Sequence, residues 1–169
     1  MNEKPFVHLH VHSEYSLLDG ANKCDALASA ACDMGMDSVA ITDHGVMYGC
    51  VEFYNKCRSK EIKPILGCEV YVDPNGYTCR EGKNQYHLIL LAENEEGYHN
   101  LMKIVSVANT DGFYYKPRID HELLAKHSKG LIGASACLGG ELPSLIMRGD
   151  NEGAISRAGL YRDILGEEN

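Results

Sequence analysis

The sequence predicts a mixed α/β fold in which strands and helices alternate along one domain. Runs rich in β-branched residues, such as 38–42 and Lys63–Val72, are followed by segments with apolar residues at helical spacing. The chain has 169 residues, a length typical of a single domain. The repeated order of strand and helix is typical of a parallel sheet or a TIM-barrel-like fold.

The elements can be placed along the chain in order. Residues 6–11 are the first strand candidate, and a helix with Asp25 as its N-cap follows and ends before Gly35. Further strands are predicted at 38–42, Lys63–Val72, Tyr86–Ala92 and 131–136, and further helices at 51–57, 98–105, Glu141–Met147 and 152–165. Residues 73–85 and the segment GFYYKPRID are predicted loops, and Asp120 is predicted to cap a short helix. No repeat or linker divides residues 1–169, so we expect one continuous domain.

Composition and charge exclude several classes of protein. The formal net charge of -8 argues against strong binding of nucleic acid by this chain itself. No run approaches the roughly 18 apolar residues of a membrane span, and residues 1–5 lack the pattern of a secretory signal, so we expect a cytoplasmic protein without membrane contact. The seven cysteines form no CxxC pair, which predicts reduced and mostly buried thiols rather than disulfides.

The motif HLHVHS carries the first candidate metal ligands. His10 and His12 lie two residues apart, so on a strand both side chains leave the same face, which His8 shares. Imidazole is the commonest metal ligand in proteins. The motif alone also fits three histidines on an ordinary half-exposed strand, so further ligands must decide between the two interpretations.

Further candidates follow at the ends of the predicted strands, where barrels collect functional groups. They are Asp43 and His44 in ITDHG, Glu69 in KPILGCEVYV, His87 in YHLILLA and Cys137 in SACLGG. Three of them have an ordinary alternative: Glu69 as a salt-bridged glutamate, His87 as a core histidine with a polar partner, and Cys137 as a buried free cysteine. Asp19 in SLLDG belongs to the series, although Asp-Gly is also a turn signal. Together these residues favour a polynuclear metal site.

The order of these motifs resembles the amino-terminal PHP (polymerase and histidinol phosphatase) domain of bacterial DNA polymerase III alpha subunits. The resemblance covers nearly the whole chain and includes HLHVHS, SLLDG, ITDHG, KPILGCEVYV, YHLILLA, GFYYKPRID and SACLGGE. It implies a distorted seven-stranded βα barrel that binds up to three divalent metal ions, with zinc favoured and manganese or magnesium as alternatives.

The resemblance also implies roles for individual residues. His10, His12 and Glu69 would hold one metal, and Glu69 would bridge to a second metal held by His87 and Cys137. Asp19 and His44 would hold the third. Asp43, next to His44, is interpreted as a residue of the catalytic site that orients its neighbour rather than as a general base.

The function that this resemblance implies is metal-dependent phosphoester hydrolysis, as a 3′-5′ exonuclease, within a DNA-directed DNA polymerase for DNA replication. The implied partners are DNA, reached through the full-length polymerase, a proofreading exonuclease and the sliding clamp. Two alternatives stay open: a non-catalytic module that stabilises the polymerase and docks the exonuclease, and a stand-alone phosphatase. The family's late Asp-x-His has no counterpart after Cys137, so we expect the last barrel units and the polymerase domains to lie outside this sequence, and the chain alone to be inactive.

Overall fold

The computed structural model describes residues 6–82 and 85–169, and their mixed α/β architecture confirms the predicted fold class. Residues 1–5, and residues 83 and 84 of the predicted 73–85 loop, lie outside the described residues. The helices within the described part are α1 (Cys24–Asp33), α2 (Cys50–Arg58), α3 (Glu95–Thr110), α4 (His121–Lys126), α5 (Glu141–Met147) and α6 (Asn151–Leu165). The strands there are β1 (Ser38–Ile41), β2 (Lys63–Val72), β3 (Tyr86–Ala92), β4 (Phe113–Tyr114), β5 (Lys116–Ile119) and β6 (Leu131–Ala134).

The strands form one mixed sheet rather than the regular parallel series that the sequence suggested. Its order is β4-β5-β2-β3-β6, and β1 pairs in parallel with the first half of β2. β3 is antiparallel to both β2 and β6, whereas β5 is parallel to β2. Parallel neighbours need a long crossover, usually a helix. The described residues between β2 and β3 contain no helix, and the chain returns in the antiparallel direction.

The prediction of a regular strand at residues 6–11 is wrong. This segment runs beside β1, where the backbone N–H of Ala40 donates to His8 O at 2.9 Å and that of Thr42 donates to Val11 O at 2.8 Å. The two acceptors are three residues apart, whereas the two donors are only two residues apart. One extra residue on the outer segment therefore interrupts the ladder, as in a β-bulge.

Two local predictions at helix starts have different outcomes. Asp25 does not cap α1, because the helix begins at Cys24 and its N-cap is Lys23, which places the Asp25 carboxylate in the first turn. A negative charge there still interacts favourably with the helix dipole. Asp120 does cap α4, since its side chain accepts a hydrogen bond from Leu123 N–H at 2.8 Å. The GFYYKPRID segment, predicted as a loop, forms the β4–β5 hairpin.

Alternation along β2 separates the hydrophobic core from the opposite face of the sheet. Cys68, Val70 and Val72 pack with apolar residues of β3 and α3 in the largest core cluster. Glu69 and Tyr71 point to the other face, because successive strand residues alternate. A second cluster packs α1 and α2 against β1, and four of the seven cysteines are buried, with all seven unbridged.

Within the described residues, none of the helices combines the length and the apolar character that a bilayer span requires.

A fully buried ion pair fixes the loop after β2. Arg118 on β5 and Asp73 are both 0% exposed, and Arg118 Nη1 lies 2.7 Å from Asp73 Oδ2. The same guanidinium donates to the carbonyl oxygens of Gly112, Tyr77 and Cys79. Arg118 lies in the predicted GFYYKPRID loop, yet these contacts hold its guanidinium inside the protein.

We predict that Arg118→Ala lowers the free energy of unfolding by about 3–5 kcal/mol, because it leaves the Asp73 carboxylate buried without its counter-charge. Urea unfolding of both proteins measures the loss. Arg58→Ala, which removes an exposed arginine in the last turn of α2, is the matched control and should change stability by less than about 0.5 kcal/mol. Equal effects of the two substitutions would show that the buried pair is unimportant for stability.

A second buried carboxylate joins α4, α5 and α6. Glu141 is 5% exposed, and its carboxylate lies 3.1 Å from His121 Nε2, 2.9 Å from Tyr161 Oη and 3.0 Å from Arg157 Nε. Burial alone would raise the pKa of Glu141, but the hydrogen bonds with His121 and Tyr161 and the Arg157 charge outweigh it, so the pKa is lowered. The ionised form is therefore favoured in the folded state.

We predict a pH-dependent contribution of Glu141 to stability. Because its pKa is lower when folded than when unfolded, the stabilisation is complete above the ordinary value of 4.5 and is lost as the pH falls through the lowered folded value. Unfolding free energies measured from neutral pH down through this range should decline more steeply for the wild type than for Glu141→Gln. The exposed Glu96→Gln variant should follow the wild type, and a Glu141→Gln curve parallel to the wild type would contradict the prediction.

Candidate metal centre

The Glu69 carboxylate lies at the centre of a cluster of histidines. Its side chain is 1% exposed, and its Oε2 is 3.0 Å from His10 Nε2 and 2.9 Å from His12 Nε2. His44 Nδ1 is 3.3 Å from the same oxygen, and His87 Nδ1 is 2.5 Å from Oε1. The two carboxylate oxygens thus face different groups of imidazole nitrogens.

The hydrogen bonds of this cluster keep Glu69 ionised. Burial alone would raise the pKa of the Glu69 carboxyl, but hydrogen bonds with His12, His87 and His10 outweigh that effect and hold it well below its usual range. The pKa of His12 is raised in turn, mainly by its hydrogen bond with Glu69 and against the opposing effect of burial. The cluster therefore combines a fixed negative charge with several nitrogen donors.

Asp43 fastens the segment that carries His12. Its carboxylate accepts hydrogen bonds from Ser13 N–H at 2.7 Å, from Ser13 Oγ at 2.7 Å and from Ser16 Oγ at 2.8 Å. Ser16 Oγ also accepts from His44 N–H at 3.1 Å. Asp43 is 1% exposed and is hydrogen-bonded to serines rather than to an imidazole, so its contacts suit an orienting role. That role stays a prediction.

His44 and Asp19 form a pair at the edge of the cluster. His44 Nε2 is 3.0 Å from Asp19 Oδ2, and Asp19 is 54% exposed. The His44 ring stacks on His12, with centroids 4.1 Å apart and planes at 11°. His44 Nδ1 is buried and lacks a hydrogen bond to any described residue, because its approach to Glu69 has unsuitable geometry. A buried ring nitrogen without a hydrogen bond is an atom that a bound ligand could contact.

Cys137 reaches the cluster from the opposite side. Its Sγ lies 3.4 Å from His87 Nδ1 and 4.0 Å from Glu69 Oε1, and it accepts a hydrogen bond from Gly139 N–H at 3.4 Å. Ala136, just before it, has a φ of 58°, a left-handed conformation that is uncommon for a residue with a Cβ. The chain therefore turns sharply after β6 and brings the thiol beside His87.

The donor atoms fit a metal centre built around Glu69. Two groups each have ligand atoms within 4.8 Å of one another, His10 with His12 and Glu69, and Glu69 with His87 and Cys137. Imidazole, carboxylate and thiolate are the ligands of zinc and similar borderline metals. Asp19 and His44 supply a third pair of donors. The structure thus brings all seven predicted ligands to one place, although the assignment of each to a metal stays a prediction.

Sequence reasoning missed Tyr71 and the position of Lys116. Tyr71 stacks on His44 with centroids 5.9 Å apart and meets His87 edge-on at 5.2 Å. Lys116 Nζ lies 5.1 Å from the centroid of the Tyr71 ring, on the side of the β4–β5 hairpin. Tyr71 is two residues after Glu69 on β2, so strand alternation could have placed it on the site face. Lys116 depends on a pairing of distant strands, which the sequence did not reveal.

Comparisons with known proteins identify the family to which the chain is similar. The PHP domain family matches residues 8–169. The DNA polymerase III subunit alpha of Treponema pallidum (strain Nichols) is 48% identical over 173 residues, covering 100% of this chain and 15% of that protein. The corresponding subunit of Helicobacter pylori (strain ATCC 700392 / 26695) is 51% identical over 140 residues, covering 82% of this chain and 12% of that protein. The chain therefore spans only a small part of the relatives it matches. A solved structure of an amidohydrolase from Chromobacterium violaceum is 22% identical, covers 92% of this chain and 48% of that chain, and has a TM-score of 0.46.

Gly45 holds the His44 segment against the strand that carries Glu69. Its N–H donates to Glu69 O at 2.9 Å, and its φ is 63°. A Cβ at this position would lie 2.5 Å from Pro117 Cγ and 3.3 Å from a ring carbon of Tyr71. Only glycine satisfies both the backbone conformation and this close approach.

We predict that Gly45→Ala destabilises the protein more than Gly35→Ala does. Gly35 also has a positive φ, 71°, but a Cβ there meets nothing within 4 Å. Alanine at this position therefore loses only the free energy of a left-handed backbone conformation, roughly 1–2 kcal/mol. Gly45→Ala adds the clash with Pro117, about 1–3 kcal/mol more. Urea unfolding of the two variants measures the difference, and equal losses would show that Pro117 yields without cost.

Proposed function

The chain belongs to the PHP domain family. From that membership we propose that it forms part of the PHP domain of a bacterial DNA polymerase III alpha subunit, a domain that in the longer protein hydrolyses phosphodiester bonds at the 3′ end of DNA. The observation that carries the proposal is the buried Glu69 carboxylate, whose two oxygens face separate groups of metal-ligating side chains. A shared carboxylate of this kind suits neighbouring divalent ions. The matched relatives, named as subunits of DNA polymerase III, support DNA as the substrate.

The residues present would hold two divalent ions through the two groups that share Glu69, and Asp19 with His44 would contribute to a third. When bound, such ions stabilise charge on phosphoryl oxygens and make water a stronger nucleophile near neutral pH. Zinc suits the thiolate of Cys137 and the imidazoles, and manganese or magnesium is the alternative. We further propose that the family's late Asp-x-His completes the site in a longer protein.

The chain's own side chains contribute orientation. Glu69 fixes the imidazoles of His10, His12 and His87 through hydrogen bonds, so these groups do not have to be ordered when substrate binds. Asp19 accepts a hydrogen bond from His44 Nε2, which keeps these two proposed ligands side by side. No serine or cysteine nucleophile is required for such hydrolysis.

Other parts of the polymerase would deliver DNA, because the net charge of -8 gives this chain little electrostatic attraction for a duplex. A proofreading exonuclease and the sliding clamp would be its protein partners. A subunit that replicates the bacterial chromosome works in the cytoplasm.

We predict that the chain binds zinc through the Glu69-centred groups. The affinity, measured by competition with a chelating dye, should fall at least about 10- to 100-fold in His10→Ala, since even loss of a group that only supports a ligand has that effect. His8→Ala is the matched control, because the His8 ring is exposed and packs edge-on against Phe6, not against Glu69.

Stability provides a second measurement. At a zinc concentration 100 times the dissociation constant, the wild type should gain about 2.7 kcal/mol of stability. Equal affinities in His8→Ala and His10→Ala, or no stabilisation, would contradict the metal site.

We predict that this chain alone does not hydrolyse DNA, whereas a longer protein that includes the late Asp-x-His removes nucleotides from a labelled 3′ end with manganese or zinc. In that longer protein, His44→Ala should reduce the rate at least about 10- to 100-fold. His99→Ala, on α3 away from the cluster, should keep the wild-type rate. A longer wild-type protein that binds metal and remains folded but hydrolyses nothing would favour the non-catalytic docking module instead.

A further inference from the structure

A groove lined with aromatic side chains begins at His44, on the side of the metal centre that faces the β4–β5 hairpin. We call it the aromatic groove and define it by Tyr15, His44, Tyr48, Phe113, Tyr115 and Lys116. Because His44 belongs both to the groove and to the cluster around Glu69, the groove adjoins the candidate metal centre.

The rings of the groove are unusually accessible to solvent. Tyr48 is 72% exposed, Phe113 is 54% exposed and Tyr115 is 60% exposed. Tyr115 occupies the tip of the hairpin, between the paired residues Tyr114 and Lys116, and its φ of 62° turns the chain there. Large aromatic rings gathered around one depression leave apolar surface in water, which is typical of a binding site.

The charge of the groove differs from that of the chain as a whole. The sequence contains 24 acidic residues against 16 lysines and arginines, yet the described residues that line the groove include no Asp or Glu. Lys116 provides the positive charge, with its Nζ 5.1 Å from the centroid of the Tyr71 ring. Tyr71 in turn stacks on His44, so one ring separates the ammonium group from the metal centre. This combination is complementary to a ligand with flat apolar faces and a negative charge.

Hydrogen bonds to backbone carbonyls hold one lining residue of the groove, Asn109, in place. Asn109 on α3 donates from Nδ2 to Gly45 O at 2.9 Å and to Val105 O at 2.9 Å. Gly45 N–H donates to Glu69 O, which links this segment to β2, the strand that carries the Glu69 carboxylate. The groove and the metal centre are therefore built on the same rigid elements.

We propose that the aromatic groove binds the unpaired 3′-terminal nucleotides of a single DNA strand, with bases stacked on Tyr48 and Phe113 and a backbone phosphate against Lys116. This inference rests on the proposed function and names the form of DNA that the site accepts. Base stacking on aromatic side chains tolerates any sequence, since every base has a π face. Paired bases inside a duplex have their faces covered, so the groove selects a frayed or mispaired end.

The test uses this chain, loaded with zinc, and a short single-stranded oligonucleotide that carries fluorescent 2-aminopurine at its 3′ end. Stacking should quench the fluorescence, and titration gives a dissociation constant without any turnover. Tyr48→Ala and Phe113→Ala should each weaken binding by at least about fivefold, whereas Tyr48→Phe, which keeps the ring, should bind like the wild type. Tyr54→Ala is the matched control, because this exposed tyrosine on α2 lies outside the groove and should have no effect.

The Lys116 contact has a separate readout. For a single strand, each neutralised phosphate contributes a slope of roughly 0.7 to the plot of log affinity against log salt concentration. Lys116→Ala should therefore reduce the slope by about that amount and leave the quenching of the bound end unchanged. An unchanged slope would remove Lys116 from the proposal.

Two results would overturn the inference. One is that the alanine variants of the groove bind like the wild type. The other is that an unlabelled oligonucleotide without bases at its 3′ end competes with the labelled strand as well as an intact unlabelled one does. Either would leave the groove to a protein partner. These failures are separate from a failure of the proposed function. If the groove variants weaken binding but the longer protein hydrolyses no DNA, the proposed hydrolysis is wrong and the groove is a binding site only. If hydrolysis occurs while the groove variants bind normally, only the inference fails.

Discussion

The burial of one carboxylate in the sheet constrains the rest of the site. An ionised carboxylate without partners would be very costly at 1% exposure, so Glu69 requires donors on both oxygens. The imidazoles of His10, His12 and His87 supply them, and the lowered pKa of Glu69 shows that they more than offset its burial. The interaction that lets the fold bury Glu69 also brings together the ligands of the proposed metal centre. Stability and the proposed function thus depend on the same group.

The core of the domain determines where these ligands lie. Cys68, Val70 and Val72 anchor one face of β2 in the main hydrophobic cluster, which leaves Glu69 and Tyr71 on the other face. The antiparallel register places His87 opposite Tyr71, and the turn after β6 brings Cys137 to His87. Gly45 fixes the remaining segment by approaching Pro117 more closely than any residue with a Cβ could. Hydrophobic packing and backbone geometry therefore position the polar site before any ligand arrives.

Local patterns in the sequence were sufficient for the bounds of β2 and β3, which equal the observed ones. Long-range effects were not predictable in this way. The segment at 6–11 has strand-like residues, but an extra residue opposite β1 interrupts its ladder. Arg118 lies in a segment with the composition of a loop, yet it is buried in an ion pair with Asp73, which is 45 residues earlier in the sequence. The antiparallel return between β2 and β3 and the placement of Lys116 over Tyr71 likewise depend on pairings between distant segments.

The most direct test of this account is a crystal structure of the zinc-loaded chain with anomalous diffraction recorded at the zinc absorption edge. Sharing of Glu69 by two metals predicts two anomalous peaks roughly 3.5–4 Å apart, one on each side of its carboxylate. One peak should lie against His10 and His12, and the other against His87 and Cys137. Zinc bound only at surface sites, with the hydrogen bonds between Glu69 and the histidines unchanged, would contradict the central role of this carboxylate in metal binding.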